Sequence, residues 1–402
     1  MKAASDLRRR NRTHLTLLAT SHGMNHVYQL LTPIIIPKIT ADYGLSNFTA
    51  GALLSCFLAS YCLLPVLSGY LSRTYGRRLL LSIGFAVSAL SFLAMGFTEN
   101  IIIFALLLFI AGAGGSTYHP NGTPLLAEFY PNQRGQTLGL HQLGGAVGSV
   151  IAPVLAGAMV LGLGWRPSLM LLAIPGLTLA VVLWFMISPE QGVGETNQSS
   201  SGRTPVSSMK IYGPAVLYMA AAFIYVLGQR GTDALANQYF TYGRGVENIL
   251  EASLLFASIK AAGLFSAPIC GKLSDIYDRR KVLIALVIVE SVSLYGITAT
   301  PTMLLIVPCL IFGFAAFGLL AVGEALLADI TPAEHRNTVF GLNYTISFSS
   351  APILSAGLGI IADRYSFDLG FILLSLLMPI SIPILLRIRT QKNQPGTGKA
   401  VA

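Results

Sequence analysis

Nine ionisable side chains stand inside long apolar stretches of this chain: His22, His26, His119, His141, Arg230, Asp233, Lys260, Glu290 and Glu324. An ionisable group in such a stretch is costly, and is a candidate for handling an ion, a proton or a charged ligand. His22 and His26 are four apart, so helical spacing puts them on one face, with Asn25 beside them. As a pair they read as helix–helix hydrogen-bonders in preference to metal ligands, and no metal is expected. His119 follows Tyr118 and precedes Pro120, which cannot donate to the helical ladder and frees a carbonyl. Arg230 is a permanent cation whose planar fork suits a carboxylate or phosphonate, and Lys260 adds a second positive charge. Together they favour an anionic or zwitterionic ligand, on which Tyr118 and Tyr225 are placed to stack. Glu324 and His119 are the expected proton carriers, the imidazole because it titrates near neutral pH, and Asp233 is a third. Arg230 and Asp233, three apart, read equally well as a mutually neutralising pair. His141 matches Asn343 in a later echo and reads as polar packing, while Glu290 is expected to bond a neighbouring helix.

The segments that carry these residues are laid out by composition. Mean hydropathy is +0.67 and only 11% of the 402 residues are charged, against about 25% in a soluble domain. Apolar runs near 20 residues predict twelve membrane-spanning helices: 14–37, 47–70, 79–97, 101–127, 137–161, 166–188, 211–240, 248–271, 280–299, 302–328, 337–362 and 367–387. The four cysteines, Cys56, Cys62, Cys270 and Cys309, fall singly inside these runs, which argues against disulfides and zinc. The basic start (Arg8, Arg9, Arg10, Arg12) leads into a run too long for a signal peptide.

The chain also repeats itself. GYLSRTYGRR from Gly69 is echoed 202 residues later by GKLSDIYDRR from Gly271. LLAEFYPNQRGQTLGL from Leu125 is answered by LLADITPAEHRNTVFGL from Leu326, and IAPVLAG from Ile151 by SAPILSAG from Ser350. Two homologous halves in a membrane are a mark of secondary transporters. The expected division is a first half 1–188, a polar linker 189–209, a second half 210–390 and a disordered tail 391–402. The net charge of +9 follows this layout and does not call for nucleic acid. With both termini inside, the inner segments hold twenty of the 26 Lys and Arg and the outer loops hold four, as the positive-inside rule requires. No G-x-x-x-x-G-K-[ST] phosphate loop is present, so the proton gradient is the expected drive. No cofactor and no enzyme activity are expected. A sensor or scaffold would need an added signalling domain or a long specific tail, and neither is expected here.

Twelve spans, a central linker and the paired loops resemble the major facilitator superfamily along essentially the whole chain. The superfamily's G-x-L-x-D-x-x-x-R-R loop keeps Asp275, Arg279 and Arg280 in the second half, with Asp278 in place of a Gly. In the first half Arg73 stands where the acid is expected and Thr74 where an Arg is common, next to Arg77 and Arg78. The resemblance implies that these loops clasp an inner gate, and that the first-half clasp is built differently. It also implies that spans one, four, seven and ten line a central cavity, which would gather His22, His26, His119, Arg230, Asp233 and Glu324. GGAVGSVIAPVLAG, Gly144 to Gly157, is similar to the antiporter motif of the drug-efflux branches, with Ala152 and Ala156 replacing glycines and Pro153 as hinge. GAGGSTYHPNG, Gly112 to Gly122, followed by RGQTLGLHQLGGAVGS, resembles the fosmidomycin-resistance type of efflux transporter. His22 and Asn25 fit that type, while His26 stands where it often has an acid. Membership implies a monomeric, proton-coupled exporter of a small anionic or amphiphilic compound, drug or metabolite, in a bacterial or archaeal inner membrane. Import of an organic anion by proton symport is the alternative.

Overall fold

The computed structural model describes residues 2–130, 133–187, 213–332 and 335–388, and among them all regular structure is helical. The expected linker 189–209 and tail 391–402 lie outside the described residues. In order the helices are α1 (Lys2–Tyr43), α2 (Asn47–Leu63), α3 (Pro65–Tyr75), α4 (Arg77–Phe97), α5 (Ile101–Gly115), α6 (Tyr118–Phe129), α7 (Arg134–Leu163) and α8 (Trp165–Met186). The second half continues with α9 (Gly213–Gln238), which runs into a π-turn at Tyr239–Gly243, then α10 (Ile249–Ile276) and α11 (Arg279–Ala299). It closes with α12 (Ile306–Ile330), α13 (Arg336–Arg364), α14 (Phe367–Leu377) and α15 (Ser381–Leu386), the last two joined by a 3-10 turn.

The breaks follow from local chemistry. Pro65 has no N–H and opens α3 at a 46° bend from α2. Pro120 sits in the first turn of α6, and the ladder is interrupted just before it, at Ser116–Thr117. Asn100 starts α5 by accepting from the amides of Ile102 and Ile103. The tight connection before each paired Arg-Arg is solved in two ways. Gly76 takes φ +81°, a region closed to most side chains. Asp278, at the equivalent place, keeps φ −61° and caps α11 by accepting from Arg280 and Lys281 amides. The Gly-to-Asp change of the second loop is thus a change of helix cap.

Among the described residues nine helices are long and apolar enough to cross a membrane, or ten when the bent α2–α3 pair counts as one span. Two further long helices, α1 and α9, miss that measure. They carry the polar sets His14, His22, Asn25, His26 and Gln29, and Gln229, Arg230, Asp233, Asn237 and Gln238.

The chain packs as two compact units. The first comprises Met1–Ser199 with Asp233–Ala257 and Ser355–Arg364, and the second Ser200–Thr232, Ser258–Leu354 and Tyr365–Ala402. In the first, α1 lies along α7, α4 along α8 and α2 along α5. Small residues permit these approaches: a Cβ on Gly144 or Gly148 would run into the backbone of Ala19 or Gly23 of α1. One on Gly112 of α5 would strike the carbonyl of Phe57 of α2. In the second unit α11 packs on α12 and α14, and a Cβ on Gly313 would strike the carbonyl of Ile259. Gly112–Phe57 and Gly313–Ile259 are the same contact repeated in the two halves.

Candidate functional site

In the first unit α1, α6 and α7 bring four histidines together. His22 is buried, and its Nδ1–H donates to the carbonyl of His141 at 3.0 Å. Its ring stacks on that of His141, with centroids 4.3 Å apart and planes 14° apart. Gly145 makes the room, because a Cβ there would lie 2.5 Å from the His22 ring. Tyr118 stacks on the same pair and donates to the carbonyl of Leu18. With its hydrogen spent, its oxygen accepts from His141 Nε2 at 2.9 Å. His26 Nε2 faces His22 Nε2 at 3.2 Å, and His119 stands edge-on to His22 with centroids 5.2 Å apart. Asn25 is buried and donates to the Tyr61 hydroxyl at 2.8 Å. His141 is a buried polar packing residue, as its echo with Asn343 led one to expect, and its ring and carbonyl hold His22 in place.

In the second unit a second polar group forms on α9, α12 and α13. Tyr344 donates from α13 to Glu324 of α12. The hydroxyls of Tyr218 and Tyr225, both buried on α9, lie 2.9 Å apart. Both lie against Gly323, where any Cβ would collide with them. Tyr225 therefore seats the Glu324 segment of α12 and does not offer an open ring. Arg230 is buried, its guanidinium 3.9 Å over the ring of Phe348. Lys260 is buried on α10, its ammonium 5.5 Å over the ring of Phe317. Asp233, three residues beyond Arg230 on α9, belongs to the first unit and is half-buried. Glu290 is buried on α11.

The Major Facilitator Superfamily profile matches residues 18–275 and 247–402. The chain belongs to this superfamily. It is 26% identical over 361 residues to the cis,cis-muconate transport protein of Acinetobacter baylyi, covering 86% of each chain. It is 24% identical over 372 residues to the fosmidomycin resistance protein of Escherichia coli, covering 89% of this chain and 88% of that one. Among solved structures it resembles a bacterial homologue of the human lysosomal transporter Spinster in an inward-facing and occupied conformation. That likeness has a TM-score of 0.78 at 14% identity over 92% of this chain and 95% of the other, and it speaks for the fold. The superfamily hosts secondary transporters, so this chain is an integral membrane transporter of small molecules.

Its paired superfamily loops are built alike in both halves. Arg77 makes an ion pair with Glu128 at the end of α6. Arg279 pairs with Asp329 at the end of α12 at 2.6 Å, and with Asp275 at 2.9 Å. The second Arg of each loop turns to the last helix of its half. Arg78 lies 4.3 Å over the Trp184 ring and reaches the carbonyl of Ile187. Arg280 donates to the carbonyls of Leu386 and Ile388 at 3.1 and 3.0 Å. A cation there meets the negative end of a helix. Arg73 is exposed at the end of α3. Pro153 lies in α7 between Gly148, packed on Gly23, and Gly157, packed on Ser253.

Sequence reasoning missed Glu128, Asp329 and Asp363. The first two stand in the matched LLAEFY and LLADIT strings, and their shared charge was the available signal. Asp363 caps α2 from 316 residues away: its carboxylate accepts from the amides of Asn47 and Phe48 at 2.8 and 2.7 Å and from the Asn47 side chain. Nothing local in the sequence announces it.

Proposed function

We propose that this chain is a proton-coupled secondary transporter that exports a small anionic or amphiphilic compound by alternating access. The observation that carries the reading is the group on α9, α12 and α13: a carboxylate, Glu324, held by Tyr344 inside the apolar run of α12, in the same unit as the buried guanidinium of Arg230. Glu324 is the proton carrier and Arg230 the anion anchor, with Lys260 adding positive charge. Protonation of Glu324 and binding of the anion exclude one another in this cycle, so proton entry and anion exit alternate. Relatives support the ligand class: muconate is a dicarboxylate and fosmidomycin a phosphonate, both suited to a guanidinium. In this reading α1 and α9 also cross the membrane, making twelve spans with both termini inside the bacterial or archaeal inner membrane, and the monomer is the working unit.

A second reading, proton symport of an organic anion inward, stays open because the antiporter-like stretch does not separate the two. Gly144 and Gly148 of the antiporter-like stretch serve close packing of α7 on α1, and a symporter needs that packing equally. Glu324→Gln in proteoliposomes tests the proton assignment. The variant should retain exchange of labelled anion across the membrane and lose accumulation driven by a pH gradient. Gradient-driven transport at the parent rate would remove Glu324 from the cycle.

A further inference from the structure

We propose that His22, His26 and His119 together bind one divalent first-row metal ion of the zinc class. Their ligand nitrogens all lie within 4.8 Å of one another, the one such cluster among the described residues. The Nε2 atoms of His22 and His26 face each other at 3.2 Å. Each ring is committed on its other side: His22 Nδ1–H donates to the His141 carbonyl, and His26 Nδ1 is hydrogen-bonded to the Gln29 side-chain amide, both at 3.0 Å. The carbonyl only accepts, so Nδ1 is the protonated nitrogen of His22 and its Nε2 lone pair faces His26, while the Gln29 amide can accept from or donate to His26 Nδ1. A cation between the rings is bound by both Nε2 atoms once His26 takes the tautomer whose Nδ1–H donates to the Gln29 oxygen. Metal-bound imidazoles are held in this way, the far N–H given to a carbonyl or carboxylate that orients the ring.

The dimensions agree. Zinc–nitrogen bonds near 2.0–2.1 Å in a tetrahedron place donors about 3.3 Å apart, so the His22–His26 edge is already set. His119 has to close by at most roughly 1.5 Å to supply the third nitrogen at those bond lengths, which is a modest swing for an exposed ring. Burial is graded from His22 through half-buried His26 to exposed His119, giving the ion a way in. A fourth position remains for water or a ligand atom. Three neutral nitrogens select Zn2+, Ni2+, Co2+ or Cu2+ over Mg2+ and Ca2+, which take oxygen. The bound ion joins α1 to α6, and this binding is independent of what the protein carries or in which direction.

The test is calorimetric titration of the purified full chain, carrying a histidine-free affinity tag, with ZnCl2, and a parallel titration with CoCl2 read in the visible spectrum. The expected result is one Zn2+ per chain and the absorption of four-coordinate Co2+. His26→Gln and His119→Gln should each weaken binding at least tenfold with unchanged melting temperature, and His335→Gln should leave it unaltered. Absence of saturable Zn2+ binding would overturn the proposal. So would one-to-one binding that survives both His26→Gln and His119→Gln. Because His26 and His119 are not fully buried, these variants are chosen over His22→Gln, whose ring is locked between α1 and α7.

Discussion

At Glu324 the chemistry turns on the hydrogen bond from the Tyr344 hydroxyl and on the two tyrosines that fill the space beside Gly323. Hydrogen bonds to charged groups contribute about 1.5–3 kcal/mol. Tyr344→Phe should therefore change the pH midpoint of transport or slow proton-coupled flux about tenfold, while the folded yield stays at the parent level. Unchanged flux and midpoint would mean that the bond does not serve coupling. Arg230 gives a second prediction. Arg230→Lys keeps the charge but loses the planar fork, and it should raise the KM for an anionic substrate with kcat largely kept. Arg230→Gln should abolish saturable transport of the same substrate. An equal KM in all three proteins would exclude Arg230 from the anion site. Both residues were readable in the sequence because charge inside an apolar run is conspicuous. Their partners were not, since Phe348 and Tyr344 look like ordinary membrane aromatics until α13 is laid beside α9 and α12.

Helices meet here through glycine, and the pattern is only half visible in one dimension. GGAVGS announced close packing by its spacing, and the structure places that packing between α7 and α1, with Gly23 as the second party. Gly23 itself carried no signal, because a single Gly in an apolar helix has many explanations. Gly148→Val forces a side chain into the Gly23 backbone, and overpacking of this kind costs about 1–3 kcal/mol. It should lower the melting temperature in detergent, whereas Gly162→Ala, with open space around it, should not. Equal melting of both variants would refute the contact. The loop ion pairs belong to the same scale. The Arg77–Glu128 pair is partly exposed, with side chains 26% and 54% accessible, so its contribution to stability should stay below about 1 kcal/mol. Its expected value lies in conformational control. Glu128→Lys should alter transport rate with little change in melting, and the exchange Arg77→Glu with Glu128→Arg should restore the rate. If the exchange variant is no better than Glu128→Lys, the pair has no such role.

Over the whole molecule the dominant fact is duplication. The first Arg of each loop pairs with an acid at the end of α6 or α12, the second Arg reaches the carbonyls at the end of α8 or α15, and one glycine contact recurs. The echo of 202 residues foretold this symmetry, including the departure at Asp278, whose purpose as a cap became clear only from the backbone. The halves differ in their ionisable groups, with the clustered histidines in the first unit and Glu324 and Arg230 in the second. Neither composition nor spacing could show that division, because it depends on which faces of α1, α6, α9 and α12 are turned inward within each unit. Exchange of an anion for protons is the central claim, and one measurement addresses it most directly. The protein is reconstituted in liposomes with a trapped pH dye and the membrane potential clamped, and muconate or fosmidomycin is added outside. Alkalinisation of the lumen, absent from protein-free vesicles and from Glu324→Gln, is the expected result. Acidification of the lumen on the same addition would establish symport and contradict the account.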